Sequence, residues 1–125
     1  MASVSPMANM PLSDPEERVY PLEKYQKIFP EAVRPAPVYL GTKFSTVVFT
    51  MLPGQVHEPH KHDDQTQIWV ILEGQGEFLM GNGRSQLVGP GTVCVHHPNQ
   101  MHGIKTVGDQ NLVYINISEK VAPKT

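Results

Sequence analysis

The stretch Gly54-Gln55-Val56-His57-Glu58-Pro59-His60-Lys61-His62-Asp63-Asp64-Gln65-Thr66-Gln67-Ile68-Trp69-Val70-Ile71-Leu72-Glu73-Gly74 decides how the rest of the chain is read. His60 and His62 stand two apart, and on an extended segment two such side chains point the same way. A third imidazole and an amide oxygen, brought in from other strands, would close a site for one divalent metal ion. His102 is the candidate third ring and Gln67 the candidate amide.

Beyond Ala36 the chain alternates short apolar runs with turn residues. The spacing predicts strands over Val38–Leu40, Phe44–Leu52, Gln67–Glu73, Gly76–Met80, Ser85–Val88, Thr92–His96, His102–Thr106 and Asn111–Ile117. Pro53-Gly54, Gly74-Gln75-Gly76, Gly81-Asn82-Gly83, Gly89-Pro90-Gly91 and Gly108-Asp109 punctuate them. Asn82-Gly83 is a type I′ hairpin signal, because both central residues of that turn need positive φ. Short strands with turns every eight to twelve residues or so indicate a sandwich or barrel rather than alternating βα units. No internal repeat interrupts this pattern.

Upstream, Leu22, Tyr25, Ile28 and Phe29 fall at helical spacing, and Pro21 suits a first helical position. Pro30 limits that helix to about two turns. Met1–Glu17 has no periodicity, so residues 1–18 read as an extended N-terminal arm, either disordered or adding a strand to a neighbouring subunit. Residues 19–125 then form a single domain.

At 125 residues the chain can bury a real core. A formal net charge of −2 gives no basic footprint and argues against nucleic acid or an anionic membrane as partner. Cys94 is the only cysteine, which rules out an internal disulfide framework and suits the cytoplasm. No run approaches the roughly twenty apolar residues needed to cross a bilayer. The N-terminus lacks the charged and apolar regions of a signal peptide.

Gly54, five residues, His60-x-His62, four residues, Gln67, six residues, Gly74: this spacing resembles the first motif of the cupin family, over 54–74. The family usually has glutamate where Gln67 stands. Its second motif, a glycine, five residues, then Pro-x-Gly-x-x-His, is matched over 91–106. There Gly91 leads through Thr92–His96 to His97-Pro98-Asn99-Gln100-Met101-His102. His97 and Asn99 replace the family's proline and glycine. Asn99 can take the left-handed conformation glycine would take, so the turn survives. The asparagine that often follows is absent, with Thr106 near its place.

The resemblance implies an all-β fold, a small antiparallel jelly-roll β-barrel. It implies metal ligation by His60, His62, Gln67 and His102, and a pairing of barrels as a homodimer, since exposed sheet edges need covering. Gln67 either ligates through its side-chain oxygen or hydrogen-bonds a metal-bound water, with Gln65 the weaker candidate for each role. Zinc, nickel, iron, manganese and copper all suit a nitrogen-rich donor set. With an amide in place of the carboxylate the centre keeps about two positive charges instead of one, and acidifies bound water more. It also disfavours raising iron to a higher oxidation state.

That balance favours a metal-dependent enzyme doing non-redox Lewis-acid chemistry (isomerisation, cyclisation or lyase-type) on a small oxygenated substrate such as a sugar acid or polyketide. The alternatives are a metal-dependent dioxygenase, because some three-histidine cupins activate dioxygen, and a non-catalytic small-molecule-binding cupin. Proton carriers are sought in His57, Glu58 and Tyr114. His57 could stand at the rim, although an exposed loop position is its plainer reading. Glu58, Asp63 and Asp64 read most simply as solvated carboxylates. Tyr114 and Asn116 share a face of the last strand, which either lines the cavity or does not. His96 and His97 point to opposite faces, so at most one enters the pocket, and His97 reads as structural. Trp69, which shares strand parity with Gln67, either floors a substrate pocket or fills the core, and core packing is the favoured reading. Met80, Met101, Phe44, Phe49 and Phe78 read as core, and Cys94 reads as a buried inert thiol.

Overall fold

The computed structural model describes residues 10–120. Nine strands follow in order: β1 Pro35–Leu40, β2 Phe44–Met51, β3 Val56–His60, β4 Gln67–Glu73, β5 Gln75–Gly81, β6 Arg84–Val88, β7 Val93–His96, β8 His102–Val107 and β9 Leu112–Glu119. They build two antiparallel sheets, a five-stranded one in the order β1-β2-β9-β4-β7 and a four-stranded one in the order β3-β8-β5-β6. This is the antiparallel jelly roll that the cupin resemblance implied, within the sandwich-or-barrel class that the spacing of strands and turns indicated. Asn82 (φ 54°) and Gly83 (φ 74°) form the left-handed pair between β5 and β6, and Asn99 (φ 68°) turns the chain between β7 and β8. Among the described residues, no helix is long and apolar enough to cross a membrane.

Three local expectations are corrected. The two-turn helix over Pro21–Phe29 is a single 3₁₀ turn, Leu22–Tyr25, none of whose residues is buried. Helical spacing without an apolar floor to pack on cannot sustain a short helix in water. Phe44 and Met101 are not core: they are 46% and 38% exposed. Phe44 takes the outward parity of β2 and meets Tyr39 at 5.3 Å, while Met101 sits in the β7–β8 turn. Thirdly, β3 is a strand although Pro59 lies within it. It is an edge strand, and its register with β8 slips between His57 and His60, where Pro59 falls. Proline tolerates such places because no ladder hydrogen bond is asked of it.

Of the arm, Ser13 is tied down at both main chain and side chain. Its N–H donates to Leu40 O (2.8 Å) and its Oγ accepts from Leu40 N–H (2.9 Å). The disorder or strand-adding role was expected of residues 1–18, of which 1–9 lie outside the described residues.

The inward face of the five-stranded sheet is layered by register. Met51 and Leu112 face each other at the base. Above them Phe49, Tyr114 and Ile71 share a row, then Val47, Asn116, Trp69 and Cys94. The row at the mouth is polar: Ser45, Ser118, Gln67 and His96. Trp69, Ile71, Ile104, Leu112, Tyr114 and Met51 are all fully buried. Burying a ring the size of Trp69 stabilises by roughly 3 kcal/mol, so the lower layers hold the barrel together and leave the upper row free for chemistry.

Candidate metal centre

Three strand ends and one loop deliver the candidate ligands to the mouth. His60 closes β3 and pairs in register with His102, which opens β8. Gln67 opens β4, and His62 follows β3 in the connecting loop. His62 therefore reaches the site from a loop, not by strand alternation with His60. His60, His62 and His102 each offer a ring nitrogen, and these atoms lie within 4.8 Å of one another. With metal–nitrogen bonds near 2.1 Å, ligand atoms on one ion stand no more than about 4.2 Å apart, so a small side-chain rotation closes the set.

Backbone carbonyls orient two of the rings. His60 Nδ1–H donates to Glu58 O (2.8 Å), and His102 Nδ1–H donates to Gln100 O (2.9 Å). A carbonyl only accepts, so in the neutral ring Nε2 carries the lone pair, the tautomer a metal requires. His102 Nε2 is buried and has no hydrogen-bond partner. A cation would satisfy that lone pair, so the residues present fit a divalent ion.

The electrostatics favour the neutral form of His102 and His62. Burial first, then the neighbouring His60 and His62, lowers His102 to about 4 against a raising hydrogen bond from Gln100. Burial, then His60, lowers His62, with Asp64 and Asp63 acting the other way. Gln67 is buried and donates from Nε2 to Gln65 Oε1 (2.8 Å), which leaves its own Oε1 uncommitted. The two motifs are joined directly: Asn99 N–H donates to His62 O at 2.7 Å.

His57 is neither a loop residue nor exposed. It lies on β3 with its ring packed against Phe49 (4.9 Å), His60 (4.9 Å) and Trp69 (5.4 Å). Its Nδ1 is 2.6 Å from the Tyr114 hydroxyl, so the face of β9 that carries Tyr114 and Asn116 is the inward one. Burial above all, and then His60, His102 and His62, lowers His57 to about 3, while burial raises Tyr114. Both groups are neutral around pH 7, with the proton on the phenol. Glu58 stands exposed; what it contributes to the metal centre is its backbone carbonyl. Asp63, Asp64 and His97 are exposed too, and Cys94 is buried with its thiol pushed up by burial.

Two further residues belong to the site, one left open by the sequence and one missed by it. His96 is the one of the His96–His97 pair that enters. It stacks on His102 with centroids 4.2 Å apart and planes 2° from parallel, and meets the edge of Trp69 at 4.4 Å. Burial, then His102, lowers it to about 3. Its parity with Cys94 was the available signal. Ser45 is the other; it shares parity with Val47 and Phe49 and lines a cavity of about 320 Å³ with His62, Gln65, Gln67, Asn116 and Ser118.

Known proteins resemble this arrangement at several distances. A protein of Thermotoga maritima named oxalate-binding protein is 31% identical over 65 residues, 52% of this chain and 53% of that one. The chain thus matches about half the length of that curated relative. An uncharacterized conserved protein with a double-stranded β-helix domain from Klebsiella pneumoniae superposes with a TM-score of 0.82 at 21% identity, over 86% of this chain and 88% of that chain. A predicted oxalate decarboxylase from Thermotoga maritima superposes with a TM-score of 0.71 at 20% identity, over 83% and 100%. At these identities the superpositions establish the fold alone. Residues 45–118 match the pattern of the AraC-like ligand binding domain, a span that runs from the first inward residue of β2 to the last inward residue of β9. With more than half its length under that pattern and its strands wound as a jelly roll, the chain belongs to the AraC-like ligand binding domain family, within the cupin superfamily.

Proposed function

We propose that the protein holds one divalent cation at His60, His62 and His102, with Gln67 as the neutral fourth group, and does non-redox chemistry of the isomerase, cyclase or lyase kind on a small oxygenated substrate. The observation that carries this reading is the convergence of three imidazoles, two of them anchored through Nδ1 to carbonyls. A cation bound there supplies Lewis acidity toward a carbonyl, enol or hydroxyl oxygen. The chain's own part is to hold a proton nearby. Tyr114 keeps its proton on Oη and donates it to Nδ1 of His57, which leaves the ring's own proton on Nε2, where it would donate a hydrogen bond to a substrate oxygen. His96, flat against His102, keeps that ring from turning.

A second reading, a binding module without turnover, is favoured by the ligand-binding family pattern and by the relative named for binding oxalate. Oxalate chelates cations through oxygen, so both readings share the metal. We also read the chain as a cytoplasmic homodimer. Val93 (57% exposed) and Val95 (46%) continue in register into Val70 and Ile68 and then Ile115 and Ile117, an outward face without charge. An uncharged apolar face is self-complementary, as a twofold interface requires.

The test is elemental analysis of the purified chain after dialysis against zinc, nickel, manganese, iron or copper. About one equivalent is expected, falling below a tenth in His60→Ala and His102→Ala variants that keep the β circular dichroism signature. A wild-type chain that retains none of the five cations would overturn the proposal. Turnover assays with and without dioxygen then separate Lewis-acid chemistry from a dioxygenase.

A further inference from the structure

A second group of metal-binding atoms stands outside the three-histidine set. The free edges of the two sheets, β7 of one and β6 of the other, border a cavity of about 350 Å³ that is separate from the one at Ser45 and Asn116. Two thioethers and an imidazole line it, those of Met80, Met101 and His96. A sphere of that volume is about 9 Å across, a span that flexible methionine side chains can close.

Three elements bring these residues together. Phe78 pairs with the buried Ile104, so Met80, two residues further along β5, takes the same inward face. Met101 lies against the residue after Met80: a Cβ on Gly81 would be 3.0 Å from Met101 Cβ and 3.2 Å from its Cγ. His96 ends β7, is 2% exposed, and has its Nε2 buried with no hydrogen-bond partner. Packing alone does not account for the set. Met101 is 38% exposed and fills no core, and a buried ring nitrogen without a partner is costly.

We propose that Met80, Met101 and His96 form a second metal site, one for a soft monovalent cation, Cu(I). Thioether sulfur is soft and uncharged, and it selects Cu(I), or Ag(I) in its place, over hard divalent ions. Among the described residues no carboxylate lines this cavity, and Arg84 is the one charged group on its wall. A neutral donor set beside a guanidinium holds a monocation at less Coulombic cost than a dication. The three-histidine centre, whose donors are all nitrogen, suits the divalent ions instead, and the two sites do not depend on each other for their ligands.

The test uses the full chain with ¹³C-labelled methionine methyl groups, loaded first with zinc to occupy the three histidines. It is titrated with Ag(I) and, under nitrogen with ascorbate, with Cu(I). About one equivalent beyond the zinc is expected to shift the methyl signals of Met80 and Met101 and to leave that of buried Met51 in place. Changing both Met80→Leu and Met101→Leu keeps the volume and removes both sulfurs. It should weaken Cu(I) binding by about a hundredfold in competition with bathocuproine disulfonate, with zinc content unchanged. Cys94→Ala, which removes the lone thiol, should hold Cu(I) affinity within about threefold. Titrations that shift neither methyl signal, equal affinity in the double variant, or uptake that disappears with Cys94 would each overturn the site. Zinc content is read separately. A chain that takes up no zinc counts against the proposed function alone, and the two methyl signals then decide this site on the zinc-free chain.

Discussion

At the scale of single residues, the site is set by which atoms can donate. Carbonyls at Glu58 and Gln100 fix the tautomers of His60 and His102 before any ion arrives. Gln67 differs: its amide is shared between Gln65 and the site. Gln67→Glu should raise divalent-cation affinity by about tenfold, since a carboxylate attracts the ion where an amide only offers a dipole. The same change should lower the melting temperature of the metal-free chain, because a carboxylate cannot donate to Gln65. Chelator competition and thermal melts check the two halves. Tyr114→Phe keeps the ring and removes the hydroxyl from His57, at a cost near 1 kcal/mol in a denaturant melt. It should also release the His57 tautomer, visible in the ring ¹⁵N shifts. That His60, His62 and His102 come together was legible because their spacing has few other uses. His57 was not, because the residues around it carry no apolar alternation that would mark a strand.

Among the elements, β3 shows what pattern reading passes over. Val56–His60 holds one apolar residue and a proline, and only its pairing with β8 makes it a strand. That pairing needs Gly103. A Cβ there would lie 2.7 Å from both His57 O and Pro59 N, backbone atoms that cannot swing aside. Gly103→Ala should push β3 off β8, cost roughly 1–3 kcal/mol in stability and weaken metal binding with it, because His57 and His60 both ride on β3. Equal metal affinity in that variant would show that β3 does not position the ligand. The strands rich in apolar and β-branched residues, β2, β4 and β9, were legible almost to their ends. The Leu22–Tyr25 turn was overread because helical spacing says nothing about whether a floor exists to receive the apolar side.

For the molecule as a whole, several buried neutral histidines make acid the sensitive direction. His57 and His96 are lowered to about 3 and His102 to about 4, while the unfolded chain titrates near 6.5. Between those values the unfolded state binds more protons, so stability falls as pH drops from about 6.5 toward 3. On the order of 1–2 kcal/mol per ring should be lost by pH 5 in chelator-treated protein, seen as a falling urea midpoint. Little change between pH 7 and 8.5 is expected from these rings. Association belongs to the same scale: Val93→Glu on the outward face should convert a dimer to a monomer in light scattering. The main-chain bond from Asn99 to His62 has a consequence for the order of events in the cell. It staples the halves of the ligand set together as part of the finished barrel, unlike small zinc modules in which the ion drives the chain to fold. On the proposed reading, the polypeptide can be completed first and charged later. Which element it carries would then be decided by the free pool it meets on that day, and the same gene expressed in differently fed hosts would yield differently loaded protein.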